Sequence, residues 1–401
     1  MRVGETWHQR HRERLAALRA GDAVLEAVAA VGEGSSWSSG RAWRRTFGRI
    51  ELDREQYATL VLESDDPQAI LLVEAFERRP GRRTDERAAI RVGGVGWLRI
   101  VSFPRDPTLT TLPAVVATAD RAAVVRYRPY RRCTLRIEER GRARFAKVFA
   151  DRRGERIHAA GMALWAAVRR GELPFAVPRP GVYSPQTRTV WQQPLAGEPA
   201  IAQLYGARGA EIASRMGAAA AALTRSRLVA PATYDAAAQL ADSSRKVAEL
   251  IRLVPRLGFA ANELLRELRA AHAGVAGRRP RPIHGAPHAN QWLIRGDRLG
   301  LVDFDRVALG DPERDAATFI AELDFEDRTS VPVEELTGAF LGGYDDVAGG
   351  LDRSLLRAYR AHKRLAKTLR TARALRPDGD ERAERHLARA AECLDPKAAV
   401  A

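Results

Sequence analysis

Lysine is nearly absent from this chain. Of 66 basic residues, only those at 147, 246, 363, 367 and 397 are lysines. Cysteine is scarcer still, with Cys133 and Cys393 the whole complement. Two distant thiols with no Cys-x-x-Cys partner exclude a disulfide framework and a zinc ribbon, and predict a reduced, cytoplasmic setting. Long apolar runs are missing too. No stretch approaches the roughly 20 apolar residues that span a bilayer. The charged first 19 residues contain no secretory-type apolar core, so no signal peptide is expected.

What is abundant is arginine, alanine and glycine, with a formal net charge of +16. A basic surface attracts phosphate backbones, so a nucleic-acid partner is one reading. The arginine skew beside so much alanine and glycine fits the amino-acid bias of a GC-rich genome, and that is the preferred reading. The charge argues against a strongly cationic substrate. With 401 residues and 45% hydrophobic content, the chain is long enough for two or three globular domains.

Along the chain, residues 8–31 carry apolar positions at helical spacing. A Gly/Ser-rich break follows at 32–40. Strand-like runs at 57–62, 69–73 and 97–103 end in a connector with three prolines at 104–113. A domain boundary is expected near residue 118. Short strands are expected at 123–127, 133–138 and 144–149, a helix at 155–168, a proline-rich loop at 174–185, and a strand at 189–192. From Ile201 onward the pattern is helical, broken by strand, loop and strand at 283–305.

That break carries the chemistry. It reads His284-Gly285-Ala286-Pro287-His288-Ala289-Asn290-Gln291, then Val302-Asp303-Phe304-Asp305 after a turn at Gly296, then Gly310-Asp311-Pro312 and Asp315. Phosphoryl transfer needs an orienting carboxylate at the acceptor hydroxyl, oxygens on Mg²⁺, and a cation on the nucleotide phosphates. Two short consecutive strands place loop 284–291 and Asp303 at neighbouring ends of one small sheet. Asp303 suits a hard cation, and Gln291 offers an amide oxygen to the same ion.

These linked motifs resemble the aminoglycoside phosphotransferase and choline kinase superfamily. The resemblance covers about residues 120–375 and implies an α+β, two-lobed protein-kinase-like fold. A β-rich N-lobe (119–193) and a helical C-lobe (194–401) would follow an extra N-terminal α/β segment (1–118). It implies ATP or GTP with Mg²⁺ as cofactors. His284 and His288 take the catalytic-loop positions. Gln291, Asp303 and Asp305 take the metal-site positions. Lys147 sits where the family's phosphate-gripping lysine sits, and Gln193 and Leu195 lie in the hinge that meets the base. Arg128-Pro129-Tyr130-Arg131-Arg132 stands at the phosphate-covering turn but lacks its glycines. Glu155 is the nearest acid for the lysine's usual helix partner, with His158 and Gly161 on the following turns.

One part is missing. Ala286 occupies the position of the catalytic aspartate, and alanine supplies none of a base's contribution. Either the residue is engineered to inactivate the protein, or the chain is a natural pseudokinase, or Asp305 or another acid substitutes. The leading expectation is transfer of the γ-phosphate to a hydroxyl of a small molecule, with Glu322, Asp324 and Asp345 as loose acceptor-binding candidates. The alternatives are an acidic peptide or RNA acceptor, drawn to the basic stretch 121–156, and a nucleotide-binding scaffold. The apolar stripe of helix 352–375 is expected to pack on its own lobe rather than on a membrane.

Overall fold

The computed structural model describes residues 7–32, 41–66, 68–81, 89–274, 277–323 and 332–395. Strand Ile70–Phe76 shows how the pieces meet, because it is buried along its whole length. Side chains alternate across a strand. Leu71, Val73 and Ala75 therefore enter one core, shared with residues of the C-terminal helices such as Leu250, Leu264 and Leu365. Leu72 faces the other way, against Val101 and Tyr130. The N-terminal segment is thus wedged between the helical lobe and the second sheet.

Its five antiparallel strands run Arg44–Ile50, Ala58–Glu63, Ile70–Phe76, Gly96–Ser102 and Ile90–Val92, in that spatial order. The first helical stretch divides into Trp7–Ala20 and Asp22–Gly32, where Gly21 takes φ +90°. Sequence periodicity alone reads across that break.

The second sheet has the same spatial order: Arg121–Arg128, Arg132–Glu139, Arg142–Phe149, Thr189–Gln192, then Pro180–Ser184. The edge strand Pro180–Ser184 lies inside the expected proline-rich loop. Proline is tolerated at the first residue of an edge strand, where no ladder donor is needed. Leu109, Leu112 and Val115 of the connector pack into this sheet's core. Helix Arg153–Arg169 lies behind it. A helical C-lobe follows, so the chain is α+β with a two-lobed protein-kinase-like fold. Leu355, Leu356, Tyr359, Leu365 and Leu369 of helix Arg353–Arg373 are buried, so its apolar stripe serves the lobe. Among the described residues, no helix is long and apolar enough to cross a membrane.

The C-lobe core depends on one close crossing, between helices Gly209–Arg225 and Val333–Ala348. A Cβ at Gly217 would lie 1.9 Å from the Phe340 carbonyl oxygen. The helices cannot move apart without opening the core, so Gly217→Ala should cost about 1–3 kcal/mol of stability. Urea unfolding checks this; an unchanged midpoint would show that the crossing is loose.

Candidate functional site

Strand Arg281–Ile283 delivers the loop, and one buried carboxylate clamps it. Asp315, in the first turn of helix Glu313–Leu323, accepts the His284 N–H at 2.7 Å and the Gly285 N–H at 2.8 Å. Burial raises the pKa of Asp315, against the pull of His284 and these two N–H donors. Gly285 has φ +83°, and a Cβ there would lie 2.3 Å from the Arg306 carbonyl oxygen, so only glycine fits. His284 Nε2 pairs with the Val302 carbonyl at 3.1 Å and must carry the proton. Its Nδ1 then accepts the Ala286 N–H at 3.4 Å. His284 is 1% exposed, and burial lowers its pKa. It is a neutral brace between loop and strand.

Ala286 is buried at the centre, and its carbonyl accepts the His288 N–H at 2.9 Å. Gln291 Oε1 shares that same N–H at 3.1 Å, while Gln291 Nε2 donates to Asp303 Oδ2 at 3.2 Å. Asp303 has φ +69°, a left-handed conformation uncommon outside glycine, and aspartate is among the side chains that best tolerate it. Backbone outliers of this kind cluster at functional sites.

Lys147 reaches across from strand Arg142–Phe149. Its Nζ donates to Asp303 Oδ1 and to Asp305 Oδ1, each at 2.7 Å. Arg132 pairs with Asp305 Oδ2 and lies 3.6 Å from Asp303 Oδ1. Burial pushes the Asp303 pKa up, but Lys147 and Arg132 prevail and hold it below the ordinary carboxylate range. All four oxygens of the two carboxylates are therefore committed, and Asp305 is not free to stand in for the base absent at 286. Glu155 is exposed on the first turn of its helix; Ile157, His158 and Gly161 face the cleft instead. Lys147 finds its carboxylates on the metal loop rather than on the helix.

The cleft encloses about 420 Å³, its open mouth included. Val177, Val190, Trp191 and Phe304 give it apolar walls, with Lys147 and Asp305 at the polar end. Such proportions suit a flat apolar ring carrying an anionic tail. Gln193 and Leu195 lie just beyond this lining. The Gln193 N–H already donates to the Arg179 carbonyl at 2.9 Å, and Leu195 packs over Gly300. Of the acceptor candidates, Glu322 lies 3.4 Å from His288 Nδ1. Asp345 faces Arg353 at 3.8 Å, and Asp324 lies outside the described residues.

Sequence reasoning overlooked what holds the phosphate-covering turn. Tyr130 takes φ +63° there. Its N–H donates to Asp106 Oδ2 at 3.0 Å, and its hydroxyl donates to Glu74 Oε1 at 2.6 Å. Tyr127 donates to the same Asp106 oxygen at 2.6 Å. The turn that bears Arg132 is thus pinned from the N-terminal sheet. A readable signal existed, since an acid inside Ile70-Leu71-Leu72-Val73-Glu74-Ala75-Phe76 needs a buried partner.

Among the described residues, no group of three or more His, Cys, Asp or Glu could hold a metal by itself. Two carboxylates sharing one ammonium do suit Mg²⁺, which takes one or two carboxylates and completes its shell with phosphate and water. A family model described as a phosphotransferase enzyme family matches residues 125–353, more than half of the chain. The chain belongs to the phosphotransferase enzyme family. This phosphotransferase is similar to an amicoumacin kinase solved with AMP-PNP, Ca²⁺ and Ami (TM-score 0.52, 11% identity, 71% of this chain and 93% of that one). It is also similar to APH(2")-IIia solved with GDP and kanamycin (TM-score 0.51, 14% identity, 71% and 98%). A choline kinase, LicA, from Streptococcus pneumoniae gives a TM-score of 0.50 at 11% identity, covering 69% and 98%. Likeness at these identities shows the fold. No curated protein matches the chain.

His288 gives the phosphotransferase a pH signature. Burial lowers its pKa to about 3, helped by the charges of Lys363 and Arg306. Glu322 beside it would favour the imidazolium, but burial and the cations win. A folded-state pKa below the ordinary 6.5 means that the unfolded chain binds the proton more readily. The stability that neutral His288 contributes is whole above about pH 6.5 and is lost as pH falls toward 3. Melting curves between pH 7.5 and 5 should therefore decline less steeply in His288→Asn than in the parent. Equal slopes would show that the ring is solvated.

Proposed function

We propose that this chain binds ATP or GTP with Mg²⁺ in the interlobe cleft and is built to pass the γ-phosphate to a hydroxyl of a small molecule. The observation that carries this reading is Lys147 held at 2.7 Å from both Asp303 and Asp305, beside a loop clamped by Asp315. When nucleotide binds, Lys147 is placed to meet its phosphates, and Asp303 and Asp305, with Gln291 beside them, are placed to hold the metal. The metal supplies charge neutralisation on the phosphates. In transfer, the acceptor oxygen bonds to the γ-phosphorus while the bridging bond to the β-phosphate breaks, and ADP or GDP leaves with the electron pair. The hydroxyl proton has no carboxylate to receive or orient it at 286, so water takes it and transfer is slow.

A second reading has its own observation. Arg132 and Lys147 together saturate Asp305, as suits a scaffold that holds nucleotide without turning it over. One variant separates the two. Ala286→Asp gains ATP or GTP turnover if the site is a transferase missing one part, and gains none if it is a scaffold. As a working division of labour, residues 1–118 brace the phosphate-covering turn, 119–193 form the nucleotide lobe, and 194–401 carry the loop and the acceptor side.

A further inference from the structure

The residues around the far side of Ala286 bear on what the acceptor is. Arg306 follows Asp305 directly, and its backbone presses on the loop. A Cβ at Gly285 would lie 2.3 Å from the Arg306 carbonyl oxygen and 3.0 Å from its Cβ. The root of Arg306 is therefore fixed one residue from Ala286, while its side chain is exposed. Lys363 approaches from helix Arg353–Arg373. One turn earlier, Tyr359 donates to Asp311 Oδ2 at 2.7 Å, which turns this helix face toward the same 310–315 turn that clamps the loop. Lys363 comes next along that face, and Arg370 follows two turns later.

These cations are uncommitted. Among the described residues, Arg306, Lys363 and Arg370 have neither a hydrogen-bond nor an ion-pair partner. All three act on His288 of the loop, with Lys363 the strongest charge there after the effect of burial. The acids nearby are already engaged. Glu322 lies against His288, and Asp303 and Asp305 hold Lys147, Arg132 and Gln291. Partly buried cations left without partners lose hydration and gain nothing in return unless a ligand supplies the counter-charge.

We propose that the acceptor carries its own anionic group, a phosphate or a carboxylate, and that Arg306 and Lys363 seat it. The proposal rests on the phosphotransfer reading for the fate of the acceptor's hydroxyl, but the anion seat itself is tested by binding alone. Glycerol 3-phosphate, gluconate, inorganic phosphate, glycerol, choline and kanamycin are titrated into the full chain by calorimetry, with and without saturating Mg·ADP. At least one of the three anions should bind in the presence of Mg·ADP, while glycerol, choline and kanamycin should not. Affinity should fall about tenfold or more in Arg306→Gln and in Lys363→Gln, the loss expected for a charge-assisted contact. Because Arg306 is exposed, its variant carries the test should the Lys363 variant fail to fold.

The proposal is overturned if no anion binds, or if choline or kanamycin binds in preference. Anions binding equally well to both variants would overturn it too. So would displacement of the anions by Mg·ADP, which would place them in the seat of the nucleotide phosphates. Failure of Mg·ADP itself to bind counts against the nucleotide reading alone, since the titrations without nucleotide still report on Arg306 and Lys363.

Discussion

Ala286→Asp should raise the rate of phosphoryl transfer by about 10²–10⁴-fold, the usual contribution of a positioned base. The gain is expected because the loop's shape does not depend on the side chain at 286. Asp315 holds the N–H groups of residues 284 and 285. The backbone of residue 286 is held on one side by His284 Nδ1 and on the other by the His288 N–H. An aspartate introduced there inherits a fixed backbone beside Asp303 and Lys147. It adds only the carboxylate that orients the hydroxyl and takes its proton. Lys147, Asp303 and Asp305 are untouched, so the change should fall on kcat, with nucleotide affinity little altered. ADP or GDP release with an anionic polyol panel as acceptor is the measurement. The absence of any gain over the parent, in a folded variant that still binds nucleotide, would sink the transferase reading and leave the scaffold.

Glu74→Ala should cost about 3–5 kcal/mol of stability, the usual result of removing one partner of a buried ion pair. Glu74 is 1% exposed. Its Oε2 accepts from Arg99 Nε at 2.5 Å, and its Oε1 accepts from the Tyr130 hydroxyl at 2.6 Å. Alanine strands a guanidinium that is 7% exposed and a hydroxyl inside the join between two sheets. The turn 128–132 then loses one of its two anchors. Arg132 rides on that turn, so its hold on Asp305 should weaken with it. Denaturant unfolding measures the first effect and nucleotide affinity the second. Glu74→Gln, which keeps the shape and one acceptor, should lose less. A Glu74→Ala protein as stable as the parent would show that the two sheets do not depend on this contact.

Much of the nucleotide lobe was readable along the chain. Strand Thr189–Gln192 and helix Arg153–Arg169 fall where alternation and helical spacing put them, because each follows a local period. Strands Ile90–Val92 and Pro180–Ser184 were not readable, being too short or too rich in proline and glycine to show a period of two. The partner of Lys147 was sought on the helix, at Glu155. It stands on the metal loop, and a pairing 156 residues long in sequence leaves no local trace.

The sequence by itself determined the parts: the family, the loop, the lysine and the missing carboxylate. Those are fixed by residue identities at short spacing, which chemistry constrains directly. Only the tertiary structure decided how the parts are employed. It turned His284 into a brace, engaged Asp305 with Lys147 and Arg132, and tied the phosphate-covering turn to Glu74. It also brought Arg306 and Lys363 to one side of Ala286. Each of those outcomes depends on which charges and donors meet after the lobes close on one another. Burial then makes an engaged partner stabilising and a missing one costly, and no stretch of chain carries that information alone.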